Sequence, residues 1–263
     1  MNATRLASWT FVLSLIALPA TAGIVYQDDF NGTGGPLNGT MPDISTTGAV
    51  WEATDGFSDD GSATNAGGAD GGTAAHLNLA LEAGKIYTAE ATILNDQLDW
   101  IAFGFTVADI DWTVGGNAEV RHSNGGRGAT WILTRNSPNS NDQEGFGGAG
   151  TASVQPWGGD VVDPTEPVDI KVVLDNTGAV SESEFWLNGV LQSTHTYGSL
   201  VLKDFDGAAD GGDDAGGIGF SHTSDTDGAF GSLLSFKVSV VPEPASIVLV
   251  AIGALGLGLV RKR

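Results

Sequence analysis

Apolar and polar residues alternate one by one along several separate segments of this chain. Residues 87–93, 168–174 and 234–240 are apolar at every second position and mostly polar between. A period of two residues is that of a β-strand with one buried face and one solvated face. No segment between the two chain ends carries a sustained helical period, so we predict an all-β body.

Turn signals divide these strands into hairpins and loops. Asn188-Gly189 stands between two apolar runs, which is the strongest short-range signal for a β-hairpin. Segments rich in Gly, Asp, Ser and Asn predict loops at 55–73, 136–151, 204–217 and 223–231. No internal repeat and no Pro/Ser linker interrupts the body. We therefore predict one two-sheet antiparallel sandwich over residues 23–241.

Composition excludes several classes of function. The chain has 32 acidic and 11 basic residues, a net charge of −21, and no cysteine. Without the two ends the body keeps 31 acidic and 7 basic residues, a net charge of −24, because four basic residues and one acidic residue lie in the ends. Such a charge repels phosphate backbones, so nucleic-acid binding is excluded. Zero cysteines exclude disulfides, thiolate metal sites and thiol catalysis.

The N-terminal segment 1–22 has the three parts of a secretory signal peptide. Arg5 is its only charge, residues 9–18 form an uncharged apolar run, and 20–22 read Ala-Thr-Ala. We predict a signal helix that is cut by signal peptidase between Ala22 and Gly23. The alternative is a retained membrane anchor, for which the run is short.

The C-terminal segment 242–263 also has three parts. It begins with Pro242, Glu243 and Pro244, continues with fourteen uncharged residues at 247–260, and ends in a cluster of Arg261, Lys262 and Arg263. Fourteen helical residues span about 21 Å, and the long basic side chains can extend this toward the ~30 Å hydrocarbon core. We predict a short transmembrane helix at 246–260 with a basic cytoplasmic end at 261–263. The alternative is a buried core helix.

This tail resembles the PEP-CTERM sorting signal of Gram-negative bacteria, whose three parts occur here in order. The resemblance implies transient anchoring in the inner membrane and cleavage near the motif by an exosortase, a membrane transpeptidase. It also implies release to, or attachment at, the cell surface, in systems that commonly accompany exopolysaccharide and biofilm. The tail is sometimes labelled after ice-binding proteins, but the body has no regular Thr-x-Thr array.

The body resembles the concanavalin A-like, or laminin-G-like, jelly roll. The features that carry the resemblance are Asp28-Asp29-Phe30, Val50-Trp51, the alternating strand from Val168, the hairpin of 185–190 and the closing strand 233–241. The resemblance implies a jelly-roll sandwich and, as is frequent in that fold, calcium at a sheet edge.

The sequence marks no catalytic residue. Jelly-roll glucanases place two or three carboxylates on one strand as Glu-x-Asp-x-x-Glu, a pattern absent here. The nearest pairs, Asp109 with Asp111 and Glu182 with Glu184, are predicted in a loop and on the solvent side of a hairpin. The four histidines have no metal-ligand spacing, and no nucleophile elbow occurs.

Two sets of residues are candidates for ligand binding. Calcium prefers carboxylate and carbonyl oxygens on a loop that glycine lets bend, and one such loop carries Asp204, Asp206, Asp210, Asp213 and Asp214. The alternative is a solvated acidic turn, since the EF-hand pattern is not met. Trp112 and Trp157 adjoin loops and are candidates for stacking on carbohydrate, whereas Trp51 and Trp131 are predicted in the core.

Together these features predict an exported, non-enzymatic surface or matrix protein, sorted by an exosortase and associated with extracellular polysaccharide. A calcium-assisted, lectin-like carbohydrate-binding module is the alternative, and a glycan-active enzyme is the third hypothesis.

Overall fold

The structure is a computed structural model of the full chain. It divides into two compact units, Ala22–Pro242 and a second unit made of Met1–Thr21 with Glu243–Arg263. The predicted signal helix and the predicted transmembrane helix lie outside the described residues. The structure describes residues 21–32, 34–54, 57–59, 63–65, 73–94, 99–107, 120, 128–136, 143–147, 153–157, 166–202, 215–224 and 232–242.

The described residues of the first unit are all β in their regular structure. Seventeen strands and no helix occur among them, as the alternation predicts. The strands are β1 (Gly23–Asp28), β2 (Gly35–Pro36), β3 (Ile44–Ser45), β4 (Glu52–Ala53), β5 (Phe57–Asp59), β6 (Ala63–Asn65), β7 (Thr73–Asn78), β8 (Lys85–Leu94), β9 (Asp99–Val107), β10 (Gly128–Asn136), β11 (Gln143–Gly147), β12 (Ser153–Trp157), β13 (Val168–Asp175), β14 (Glu182–Leu187), β15 (Val190–Thr196), β16 (Ala215–Ser224) and β17 (Ser232–Pro242).

These strands form two antiparallel sheets. Sheet 1 has the order β15-β14-β13-β8-β17-β6-β5-β2, with β1 beside β17 and β3 beside β1. Sheet 2 has the order β12-β11-β10-β9-β16-β7-β4. The consecutive strands β9 to β12 and β13 to β15 are direct neighbours within their sheets, whereas pairs such as β8 with β17 and β9 with β16 join distant parts of the chain. This is the two-sheet antiparallel jelly roll that the sequence predicts.

Strand β17 lies in the middle of sheet 1, with paired strands on both of its edges. One edge pairs with β8 along its length, from Ser232 opposite Leu94 to Pro242 opposite Lys85. The other edge pairs with β6 at its start and with β1 toward its end. The first strand of the body therefore lies against the last.

Aromatic side chains fill the space between the two sheets. Trp51 packs edge-to-face against Phe220 and Phe236, with ring centroids 5.7 and 5.1 Å apart. Phe103 and Phe57 extend the cluster, and all five rings are buried. Edge-to-face pairs of this kind add to the free energy gained by burial.

Alternation predicts the buried faces of β8 and β13 correctly. In β8 and β13 every second side chain is buried in the core, and the intervening ones are exposed or half-buried. It is wrong at the start of β17, where a bulge buries Leu233 rather than Leu234, and the described side chains of β9 and β10 are buried on both faces. The predicted loops at 55–73 and 136–151 are partly wrong, because they contain β5, β6 and β11. These strands are short and lack alternation, so pairing rather than pattern defines them; β11 forms five residue pairs with β10.

Candidate functional site

A cross-strand row of side chains crosses the outer face of sheet 1. The register places six residues from six adjacent strands opposite one another, each on the side of its strand away from the core. We call them the cross-strand row. In spatial order they are Gln27, Lys237, Glu90, Lys171, Trp186 and Leu191.

Positive and negative charges alternate along this row, and the ammonium group of Lys171 lies over the ring of Trp186. Lys237 Nζ lies 2.5 Å from Glu90 Oε2, and Lys171 Nζ lies 3.8 Å from the centre of the Trp186 ring. The indole Nε1–H of Trp186 donates to Glu184 Oε2 at 2.9 Å. The ring is thus oriented by two neighbours and remains half-exposed.

A groove of about 510 Å³ opens over the row. The groove is also lined by Thr92 and Asp169, a neighbouring pair on β8 and β13, whose Oγ1 and Oδ1 atoms are 2.8 Å apart with the hydroxyl donating. The backbone N–H of Asp169 donates in turn to Asn188 Oδ1 at the hairpin tip, 3.0 Å away. The groove therefore presents carboxylates, ammonium groups, a hydroxyl and one indole on a rigid sheet, a mixture that suits a polyhydroxylated ligand.

Trp186 is an aromatic residue of the groove that the sequence analysis did not select. The prediction for carbohydrate stacking went to loop tryptophans, while Trp186 lies in β14. Alternation contains the signal needed to find it: Phe185 is buried in the core, so the next side chain along the strand must face outward.

The outer face of sheet 2 is different, because it is apolar and buried. Ala74, Ala102, Trp131 and Leu133 form a second apolar cluster there together with Val120. Trp131 is buried as predicted, but in this cluster rather than between the sheets. The side chains of this cluster are apolar and offer no acceptor for a sugar hydroxyl.

His76 lies on the same face and is fully buried. Desolvation lowers its pKa from 6.5 to about 3, so its imidazole is neutral at physiological pH. The backbone of Gly217 approaches this ring so closely that a Cβ there would lie 1.7 Å from Nε2. A tightly enclosed neutral histidine is a packing residue here.

Of the two carboxylate pairs considered for catalysis, the structure describes only Glu182 and Glu184. On the outer face of sheet 2, Glu52 is the only carboxylate whose side chain the structure describes, and it accepts a hydrogen bond from the Asn78 amide at 2.8 Å. Glu182 is exposed and Glu184 holds Trp186, on the solvent side of the hairpin. Asp109 and Asp111 lie outside the described residues.

The structure does not describe the predicted metal loop. Asp204, Asp206, Asp210, Asp213 and Asp214 all lie outside the described residues, as does Trp112. The backbone of Trp157 ends β12, but its side chain is not described. Across the part of the chain that is described, no group of three or more His, Asp or Glu residues could hold a metal ion.

The two predicted cutting positions meet at one corner of sheet 1. Gly23, the first residue after the predicted signal peptide, begins β1 opposite Val240 of β17, and Ala22 directly precedes the strand. Pro242, the first residue of the sorting motif, is the last residue of β17. Glu243, Pro244, Arg261, Lys262 and Arg263 lie outside the described residues. Within the described ranges no helix is long and apolar enough to span a membrane.

Comparison of the fold defines the class of the sandwich. It is similar to an endo-1,3-beta-glucanase from Streptomyces sioyaensis, with a TM-score of 0.54, 13% identity, and coverage of 87% of this chain and 100% of that one. It is also similar to peanut lectin, solved with a nine-residue peptide, with a TM-score of 0.52, 12% identity, and coverage of 84% and 98%. The body is thus an all-β jelly roll whose fold is similar to that of a glucanase and of a lectin.

Comparison of the sequence defines the tail. Residues 240–263 match the PEP-CTERM protein-sorting motif. No curated protein matches this chain in sequence. The chain is therefore an all-β jelly roll that carries a PEP-CTERM sorting motif at residues 240–263.

Proposed function

We propose that this protein is an exported, non-enzymatic surface or matrix protein that contacts extracellular polysaccharide through the groove over the cross-strand row. Signal peptidase removes residues 1–22, the C-terminal helix holds the chain in the inner membrane, and an exosortase then processes it for the cell surface. The observation that carries this proposal is the sorting motif at 240–263, which begins within the last strand of a lectin-type sandwich.

The chemistry of the groove supports a carbohydrate ligand. Sugar rings have apolar faces that stack on an indole, and hydroxyls that pair with carboxylates and ammonium groups. Trp186, Glu90 and Asp169 supply these groups within the groove. A body with a net charge of −24 repels anionic chains, so the ligand is an uncharged polysaccharide.

The described side chains on the outer face of sheet 2 do not favour catalysis. Hydrolysis of a glycosidic bond needs two carboxylates roughly 5–9.5 Å apart in a solvent-filled cleft. The described side chains of that face are mainly small or apolar and are buried around Trp131. The enzyme hypothesis therefore has no pair of groups to support it among these residues.

The sorting step is tested with the double substitution Pro242→Ala and Glu243→Ala. The precursor should then accumulate in the membrane fraction of the native host, because the exosortase has lost its motif. Glu166→Ala with Pro167→Ala is the matched control, since it removes the same residue types at an exposed position of the body. Normal release of the Pro242/Glu243 variant would contradict sorting by this motif.

The binding step is tested by co-sedimentation of the purified body with insoluble 1,3-beta-glucan and with the neutral exopolysaccharide of the host. Trp186→Ala should weaken binding roughly tenfold by removing the stacking surface, and Trp186→Phe should restore part of it. Val190→Ala, at an exposed position of the same hairpin but outside the row, serves as the control. Equal binding by wild type and Trp186→Ala would rule out this face.

The calcium-assisted lectin is the second candidate, and the lectin-type fold favours it. In that case the loop of Asp204–Asp214 would bind calcium beside the sugar. Binding that disappears with chelator, while Trp186→Ala still binds, would favour this candidate over the groove.

A further inference from the structure

The sorting motif begins inside the folded sandwich. Its matched residues start at Val240, and Val240, Val241 and Pro242 all belong to β17. No spacer therefore separates the last strand from the Pro-Glu-Pro sequence. An enzyme that binds its substrate as an extended chain needs free backbone N–H and C=O groups, which a strand inside a sheet does not offer.

The three residues differ in how firmly the sheet holds them. Val240 pairs on both edges, with Tyr87 on β8 and with Gly23 on β1, and it packs against the core. Among the described residues, Val241 and Pro242 have strand partners on β8 only, namely Ile86 and Lys85. We therefore expect the strand to open more easily at Pro242 and Val241 than at Val240.

We propose that the folded sandwich limits where and how fast the sorting motif is cut. The cut falls beyond Pro242, so that the mature protein keeps the whole of β17, and its rate depends on opening of the last two pairs with β8. The cut breaks one peptide bond: the carbonyl carbon passes to water or to an acceptor amine, and the tail leaves with a new amino terminus. This inference rests on the proposed sorting function.

The position of the cut is tested by intact mass of the secreted protein from the native host. The expected product begins at Gly23 and ends at Pro242 or later. A folded, secreted product that ends at Val241 or earlier would overturn the inference while leaving sorting intact. A chain that is never cut would overturn both.

The rate is tested by pulse–chase with two variants that leave the Pro242-Glu243-Pro244 sequence intact. A Gly-Ser-Gly-Ser insertion between Val241 and Pro242 supplies the missing spacer and should speed processing severalfold. Ile86→Gly weakens the pair with Val241, because glycine has a lower strand propensity than isoleucine. The end of β17 should then open more often, and processing should be roughly fivefold faster.

Each variant has a matched control. The same insertion after Gly48, a loop residue with open space around it, lengthens the body elsewhere. Ile44→Gly weakens an exposed strand pair with Gln27, away from the end of β17. Melting of the purified bodies verifies that all four remain folded. Processing of the spacer and Ile86→Gly variants at the rate of their controls would overturn the role of strand opening.

Discussion

The carboxylate of Asp28 connects the first strand to the aromatic core. Its Oδ1 accepts the backbone N–H of Phe30 at 2.9 Å, and its Oδ2 accepts the indole N–H of Trp51 at 2.7 Å. The turn this creates holds Phe30 at a positive φ of 50°, which a large side chain rarely adopts. Burial raises the pKa of Asp28, and the nearby Asp43 and Asp59 carboxylates raise it further.

This raised pKa makes stability depend on pH in a stated direction. Between the unfolded and the folded pKa of Asp28, the folded chain binds more protons than the unfolded chain. The contribution of Asp28 to the free energy of unfolding is therefore complete below the unfolded pKa and is lost as pH rises through the folded pKa. Asp28→Asn has no carboxylate to titrate at this position and so does not show this loss. The free energy of unfolding of the variant, relative to that of the wild type, should therefore increase from about pH 3 to about pH 7. Urea unfolding at both pH values measures the difference.

Glu166→Gln, at an exposed position, is the control for this experiment because it removes one charge without removing a buried carboxylate. Its stability relative to wild type should change less over the same range. A constant difference between Asp28→Asn and wild type would show that Asp28 titrates alike in the folded and unfolded chains.

The hairpin of β14 and β15 is the element that positions Trp186. Its tip residues Asn188 and Gly189 have positive φ angles of 47° and 74°, the backbone conformation of a tight hairpin turn. Asn188 also exchanges two hydrogen bonds with Asp169 on β13, at 2.8 and 3.0 Å. The tip is thereby fixed to the groove, so a disturbed turn changes the site as well as stability.

Gly189→Ala tests the turn. A Cβ at Gly189 would meet no atom within 4 Å, so the substitution is opposed by backbone strain alone, about 1–2 kcal/mol. The free energy of unfolding from urea titration should fall by that amount. Gly198→Ala is the control, since it also has open space but no positive φ, and it should change stability little. Equal effects of the two substitutions would contradict a strained turn.

The molecule as a whole is strongly acidic, and this bears on its response to ions. With a net charge of −24 the carboxylates of the body repel one another and destabilise the folded state, and any added salt screens that repulsion. A specific calcium site adds a further stabilisation that follows the free calcium concentration rather than ionic strength. The predicted ligands Asp204, Asp206, Asp210, Asp213 and Asp214 remain a sequence prediction.

The melting temperature of the body separates the two effects. Millimolar calcium should raise it above the value in chelator, and above the value in sodium chloride of equal ionic strength. Replacing Asp204 and Asp206 with Asn should remove the additional increase and leave the increase from sodium chloride. A melt that responds alike to calcium and to sodium would exclude a specific site.

Much of the fold follows from local patterns in the chain. Alternation correctly places Glu90 and Lys171 outside and Ala89 and Val172 inside, because the direction of a side chain in a strand depends only on its position along that strand. Asn188-Gly189 specifies its own turn, because these two residue types accept the positive φ angles that the turn requires. The sorting motif could also be recognised, since its three parts are contiguous.

The groove could not be predicted in this way, because it is made by pairing. Glu90 lies between Lys171 and Lys237 because β8 pairs with β13 on one edge and with β17 on the other, and both pairings join distant parts of the chain. The pairing of β13 with β14 then places Trp186 beside Lys171. Packing of the sheets sets those registers, and no short segment contains that information. The amino-acid sequence by itself thus specified the strands, which side of β8 and β13 is buried, one turn and a C-terminal sorting motif. Assembly of the sheets determined which side chains meet and joined the sorting motif to the last strand, because strand pairing is a non-local choice.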